Sequence, residues 1–195
     1  MYKIIAVRDI VRIPPKLFSK SLEKSVLDAL KEQYEGKLDI DIGVVITVLN
    51  PRDIGDGKII PGDGAAYHEA VFDILVFKPE LHEIVKGKVA DITEFGAFIR
   101  FGPIDGLVHV SQVTDDFMGY NEKTATLAGR DSKKILQKND IVNARITAIS
   151  LKNTVADSKI NLTMRQLGLG KEAWYKGIKK GAVKPSVKKK RKRKK

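Results

Sequence analysis

Cysteine is absent from all 195 residues, which excludes disulfide frameworks, thiolate metal centres and cysteine nucleophiles. Long apolar runs are missing too. The longest, from Ile42 to Leu49, is far below the roughly 20 residues that cross a bilayer as a helix, and no basic-then-apolar signal segment opens the sequence. A cytoplasmic location without membrane attachment is expected. Histidine is scarce: His68, His82 and His109 are the whole complement, and no two are spaced as a helical metal pair. Neither a metal site nor a cofactor is expected. His68-Glu69 reads as a solvated loop pair rather than an acid–base couple, and Ser111 lacks the glycine-flanked elbow of a serine nucleophile. No catalytic residue is assigned.

Positive charge is plentiful but unevenly placed. The formal net charge is +12. Residues 171–195 hold 13 of the 36 Lys+Arg and one of the 24 acids, so the preceding 170 residues carry 23 of each sign and are neutral. The excess is a tail ending in an unbroken basic run that includes Lys188, Lys189, Lys190, Arg191, Lys192 and Arg193. Like charges at that density repel, so a disordered tail is expected that meets nucleic-acid phosphate nonspecifically. Trp174 and Tyr175 at its root are expected to cap the preceding fold. Any recognition by the folded body must come from local placement of side chains.

The pattern changes near Glu80, where a domain boundary is placed between residues 1–80 and 81–170. In the first part, residues 1–13 read as a strand that Pro14-Pro15 terminates. Leu22, Val26, Ala29, Leu30 and Tyr34 then recur at helical spacing, with Gly36 placed to end the helix. Strands follow at 44–49 and 70–77, separated by a turn-rich projecting loop or hairpin containing Gly55, Gly57, Gly62 and Gly64. Its acids lack calcium-loop spacing, and Gly57-Lys58 is not followed by the Ser or Thr of a phosphate loop. Such a glycine-rich projection suits close approach of another chain.

The second part alternates with period two at 84–93, 97–101, 106–110, 141–149 and 159–165, which predicts a small five-stranded barrel. Ala97, Ile99 and Phe101 fall on one face and Phe98 with Arg100 on the other. Val142, Ala144, Ile146 and Ala148 are expected inside, as are Ile160, Leu162 and Met164, with Lys159, Asn161, Thr163 and Arg165 outside. An inserted hairpin is expected at 124–128 and 132–136 around Gly129-Arg130-Asp131.

Gly87-Lys88-Val89, Phe95-Gly96-Ala97-Phe98-Ile99 and Asp105-Gly106-Leu107-Val108-His109-Val110-Ser111 carry the most specific signal. Their order and spacing resemble the S1 RNA-binding domain, a five-stranded OB-type barrel, over residues 82 to about 166. The resemblance implies that Phe95, Phe98 and His109 stack on or touch bases and that Lys88, Arg100 and Lys159 hold the backbone. Ser150 and Lys159 stand where many S1 domains carry an acid and an arginine, and the loop Leu151 to Ser158 is long, so weak, sequence-tolerant binding follows.

The whole arrangement resembles the E-prime family of archaeal RNA polymerase stalk proteins. The shared features are a first strand ending in Pro-Pro, a helix, a strand, the glycine segments Asp53–Gly57 and Gly62–His68, an S1 domain, and the closing Leu162-Thr163-Met164-Arg165-Gln166 with Leu169-Gly170. The fold implied is an α+β tip domain, truncated ribonucleoprotein-like with order β-α-β-β, followed by the all-β barrel. The function implied is that of a noncatalytic stalk subunit of a DNA-directed RNA polymerase. It would form a heterodimer with the small F subunit of the stalk, dock on the polymerase core through the tip and its glycine loop, and bind nascent single-stranded RNA. A free-standing S1 protein of translation or RNA decay is the alternative.

Overall fold

The computed structural model describes residues 1–152 and 154–175, so the basic run 188–195 lies outside the described residues. The elements run β1 (Tyr2–Ile13), α1 (Leu22–Tyr34), β2 (Leu38–Asp39), β3 (Gly43–Ile59) and β4 (Ala66–Phe77) in the N-terminal part. There follow β5 (Ile84–Thr93), β6 (Gly96–Arg100), β7 (Asp105–His109), β8 (Met118–Asn121), β9 (Thr126–Gly129), β10 (Ile135–Leu136), β11 (Ile141–Ser150), β12 (Lys159–Thr163) and β13 (Gly170–Lys171).

The N-terminal sheet has the order β1-β4-β3-β2, which leaves β1 as a free edge among the described residues. Its inner face buries Val11, Ile13, Phe72, Ile74 and Val76 against Val26, Ala29 and Leu30 of α1. The helix begins after Pro14-Pro15 and a short 3-10 turn, where Ser25 Oγ donates to the carbonyls of Leu17 and Ser21 at 2.7 and 3.0 Å. It ends at Gly36, whose φ of +76° lets its N–H turn back to the Val45 carbonyl at 3.0 Å. Leu22, expected on the apolar stripe, is exposed instead, as the first residue of α1.

β3 is far longer than the expected 44–49, and β4 begins at Ala66, so the glycine-rich segment is a hairpin ribbon rather than an open loop. Gly55 and Gly57 lie within β3, while Gly62 and Gly64 lie in the turn. Register shifts at four points along the β3–β4 ladder, from Val45/Thr47 to Ile54/Gly57, absorb the extra residues of β3 and twist the ribbon. Gly57 is a packing requirement: a Cβ there would stand 2.7 Å from the His68 ring, which lies across the strand with Nδ1 2.9 Å from the Gly55 carbonyl. His68 is thereby a buried ribbon residue, not a solvated loop residue. Asp63 fastens the ribbon end, accepting from Arg12 Nε and Nη2 at 2.9 and 2.8 Å and from the Tyr67 hydroxyl at 2.6 Å.

The second sheet closes on itself. Its order is β12-β7-β6-β5-β11, with β11 pairing back to β12 and β12 running parallel to β7, which is the OB-type barrel topology. All five expected barrel strands are present, and Ala97, Ile99, Val142, Ala144, Ile146, Ile160, Leu162 and Met164 fill the interior. Two side chains depart from simple alternation. A bulge at Thr147 inserts an extra residue between Ile146 and Ala148, so Ala148 turns outward and Ile149 leans on the core. Thr163 is buried because its hydroxyl donates to Gln112 Oε1 at 2.9 Å.

The inserted segment is a three-stranded sheet, β10-β9-β8, rather than the expected two-stranded hairpin. Residues 171–175, counted with the tail from sequence, belong to the barrel. Lys171 pairs with Val142, Trp174 packs against the core under Lys134, and the Asn143 side-chain amide donates to the Tyr175 hydroxyl at 3.0 Å.

The two sheets share one junction. Phe77, at the end of β4, is fully buried among barrel residues, with its ring 5.0 Å from that of Tyr2 and 6.1 Å from that of Phe101. Replacing Phe77 with Ala removes the largest apolar group at this joint. The expected loss of stability in denaturant titration is roughly 3–5 kcal/mol, the range for a buried phenylalanine.

Candidate nucleic-acid interface

Barrel closure dictates which side chains face outward. Cross-strand register places Arg100 between Lys88 on β5 and Asp105 on β7, and Phe98 between Asp91 and Leu107. His109 lies opposite Gly96, and Asn161 of β12 pairs with Leu107. One outer face therefore gathers Lys88, Phe98, Arg100, His109 and Lys159, with Phe95 at its end. Phe98 is half-buried in the sheet, whereas Phe95, in the β5–β6 turn, is 46% exposed. Their rings meet edge to face at 6.0 Å. Neither fills the core, which settles the two phenylalanines as surface groups.

Gly96 makes this end of the face possible. A Cβ on it would overlap the Val108 carbonyl, so β6 approaches β7 here only because the side chain is absent. The Phe95 carbonyl then accepts from the Val110 N–H at 2.9 Å, which fixes the turn that presents the ring. His109 ends β7, with its Nδ1 2.9 Å from Ser111 Oγ and accepting from the Ser111 N–H, leaving the rest of the ring exposed.

The cations divide into two kinds. Lys88 and Lys159 are exposed, with no ion pair or hydrogen bond on their ammonium groups among the described residues. Arg100 is held differently from what the S1 resemblance implies: its guanidinium forks onto Asp105, Nε to Oδ1 at 2.8 Å and Nη2 to Oδ2 at 2.9 Å. That paired hydrogen bond raises the Arg100 pKa and neutralises the charge locally. The Nη1 group stays open to solvent, but a phosphate that meets Arg100 there also meets the Asp105 carboxylate beside it.

Features not read from sequence complete the face. Leu107 and Asn161 lie beside Phe98 in register, though nothing in their spacing distinguishes them from ordinary strand residues. The β11–β12 loop folds back so that Val155 and Ala156 join Phe98, Arg100 and Pro103 around a pocket of about 360 Å3. Ser158 Oγ donates to the Thr154 carbonyl at 2.8 Å and accepts from the Lys152 N–H at 3.0 Å, which gives the loop its own internal frame. Among the described residues no group of three metal-ligating side chains comes together, and no helix is long and apolar enough to cross a membrane.

Comparison with known proteins agrees with this geometry. Residues 8–64 match the model of the SHS2 domain found in the N terminus of Rpb7p/Rpc25p/MJ0397, and residues 78–159 match the S1 RNA binding domain. The DNA-directed RNA polymerase subunit Rpo7 of Saccharolobus shibatae is 43% identical over 180 residues, 92% of this chain and 100% of that protein. The chain belongs to the Rpo7 family of DNA-directed RNA polymerase subunits. The Rpo7 of Sulfolobus acidocaldarius is 42% identical over 89% of this chain and 94% of its own length. Subunit RPC8 of RNA polymerase III from Saccharomyces cerevisiae is 32% identical over 49% of this chain and 45% of its own. The N-terminal sheet with its helix is thus the SHS2 unit of this family, and the barrel is its S1 unit.

The insert of the S1 unit hangs on one carboxylate. Asp116 accepts from the Ser132 N–H and Oγ, each at 2.8 Å, and from the Asp131 N–H at 3.0 Å. These bonds, the one to the Ser132 backbone foremost, lower its pKa from the ordinary 3.8 to about 2. A carboxyl depressed in the fold stabilises it above its unfolded pKa and loses that contribution as pH falls through the folded value. Amide exchange at Asp131 and Ser132 is therefore expected to lose protection between about pH 4 and pH 2. Asp116→Asn is expected to show the same loss already at neutral pH.

Proposed function

We propose that this Rpo7-family chain is a noncatalytic stalk subunit whose S1 unit receives single-stranded nascent RNA and whose SHS2 unit carries the attachments to the polymerase. The observation behind the RNA reading is the outer barrel face, where the exposed Phe95 and the half-buried Phe98 lie among the unpaired Lys88 and Lys159. Aromatic platforms with flanking cations bind single strands without strong sequence preference, each stacked base contributing roughly 1–3 kcal/mol. With Arg100 occupied by Asp105, few charges remain free for phosphate, which favours weak binding. The basic run Lys188–Lys195 adds a nonspecific electrostatic contribution that falls steeply with salt.

Two attachments are assigned to residues 1–80. The outer face of the first sheet exposes Tyr2 and Ile4, with Leu75 beside Ile4 in register, and it borders the free backbone edge of β1. An apolar face next to an unpaired edge suits a protein partner, and this is the seat we assign to the small F subunit of the stalk. The far end of the ribbon exposes Ile10, Ile59 and Ile60, of which Ile10 and Ile60 line a pocket of about 430 Å3, and the Asp63 network holds it in shape. That end, with Gly55, Gly57, Gly62 and Gly64, is the proposed contact with the polymerase core.

Two measurements test these assignments. A tagged chain drawn from nuclease-treated native lysate should bring down polymerase core subunits and one small companion near stoichiometry. Ile4→Asp should lose the companion; recovery of ribosomal or nuclease components alone would return the chain to a free-standing RNA-binding role. Phe98→Ala should weaken single-stranded RNA binding in fluorescence anisotropy by about 1–3 kcal/mol. Unchanged affinity in that variant would remove the stacking assignment.

A further inference from the structure

We propose that a second pocket, between the turn at residues 110–112 and the three-stranded insert, takes an unpaired nucleobase of single-stranded RNA beyond the end of the barrel face. The proposal rests on the RNA reading above and extends it to a site that borrows Val110 and Ser111 from the end of the S1 motif but contains none of the stacking residues Phe95, Phe98 and His109. The pocket has a volume of about 290 Å3, near the lower limit for ligand sites, and so suits one flat ring system rather than a helix or strand.

Phe117 is the central observation. At 73% exposure it is the most exposed phenylalanine among the described residues. Its backbone is nonetheless fixed, since its carbonyl accepts from the Arg130 N–H at 2.9 Å and the neighbouring Asp116 is bound to Asp131 and Ser132. A ring held in water on an anchored backbone is presented rather than loose. Val110 and the buried Met118 line the apolar part of the cavity beside it.

The polar rim matches a base edge. Arg165 Nε donates to Asp115 Oδ1 at 2.5 Å, a single contact between two exposed side chains that leaves guanidinium donors and a second carboxylate oxygen available. A nucleobase edge offers both donors and acceptors to such a pair. The pocket is also continuous with the face already described. The Val110 N–H is bonded to the Phe95 carbonyl, and Ser111, at the rim, is bonded to His109. A strand lying over Phe98 and Phe95 and passing His109 arrives at Phe117 next.

The experiment uses the full chain and fluorescent oligouridines of about 4 and about 12 nucleotides, spanning the length an OB barrel covers. Phe117→Ala should lower affinity for the longer RNA by roughly 5- to 150-fold, the equivalent of one stacked base, and leave the shorter unchanged. Phe117→Tyr should restore it, which separates the loss of the ring from any disturbance of the insert. If Phe98→Ala weakens binding and Phe117→Ala does not, the pocket assignment falls and the barrel face stands. If the unaltered chain binds neither RNA, both readings fall together. If Phe117→Ala keeps full RNA affinity but no longer retains a polymerase subunit in the pull-down, the pocket belongs to a protein contact and the proposal is overturned.

Discussion

Closure of the second sheet is the constraint on which the rest depends. A β-sheet that bonds back to its own first strand has no freedom of register, because a one-residue slip would turn the apolar interior outward on every strand. The pairing of β12 with both β7 and β11 fixes Ile160 and Leu162 inside, and with them the outward set on the neighbouring strands. Phe98 faces solvent because Ala97 and Ile99 cannot. The bulge at Thr147 is part of the same solution, letting β11 bend from β5 toward β12.

Electrostatics on that face come from position, not from total charge. The body of the chain is neutral, yet neutrality conceals a sorting of side chains: some cations are locked to carboxylates and others are left open. Arg165 with Asp115 is an exposed pair joined by one contact and of modest strength, whereas the two-pronged Arg100–Asp105 pair is held more firmly. Lys88 and Lys159 need no exchange. Contact with a polyanion therefore begins at the lysines and extends to the arginines at additional cost.

Much of this was legible in the chain itself, and the misses share a cause. Alternation from Gly96 to Arg100 identified the outward side of β6, and the Phe-Gly-Ala-Phe-Ile spacing pointed to the correct barrel. The helix, the Pro-Pro break and all five barrel strands follow from local pattern. What failed needed a partner on a neighbouring strand or another element. Thr163 is buried through Gln112, 51 positions away, and the ribbon is a ladder because β1 and β3 both pair with β4. Gly57 reads as a flexible residue until the His68 ring is placed across it. Met118–Asn121 has too short a run and too many small and polar residues to register as a strand before β9 pairs with it. The engagement of Arg100 by Asp105 is a cross-strand fact, visible once β6 and β7 are in register.

The joint at Phe77 has a mechanical consequence. Besides that buried ring, the crossing from β4 to β5 is held by the Lys3–Glu80 pair at 2.6 Å, by the Lys78 ammonium on the Asp41 carbonyl, and by the backbone bonds of His82 and Glu83 with Ile146. Independent rotation of the two units would have to separate the Phe77 ring from Phe101 and the barrel residues around it. The two units thus meet through a packed apolar joint and not through an open linker. A load placed on the ribbon reaches the barrel through that buried contact, so the two ends are mechanically coupled.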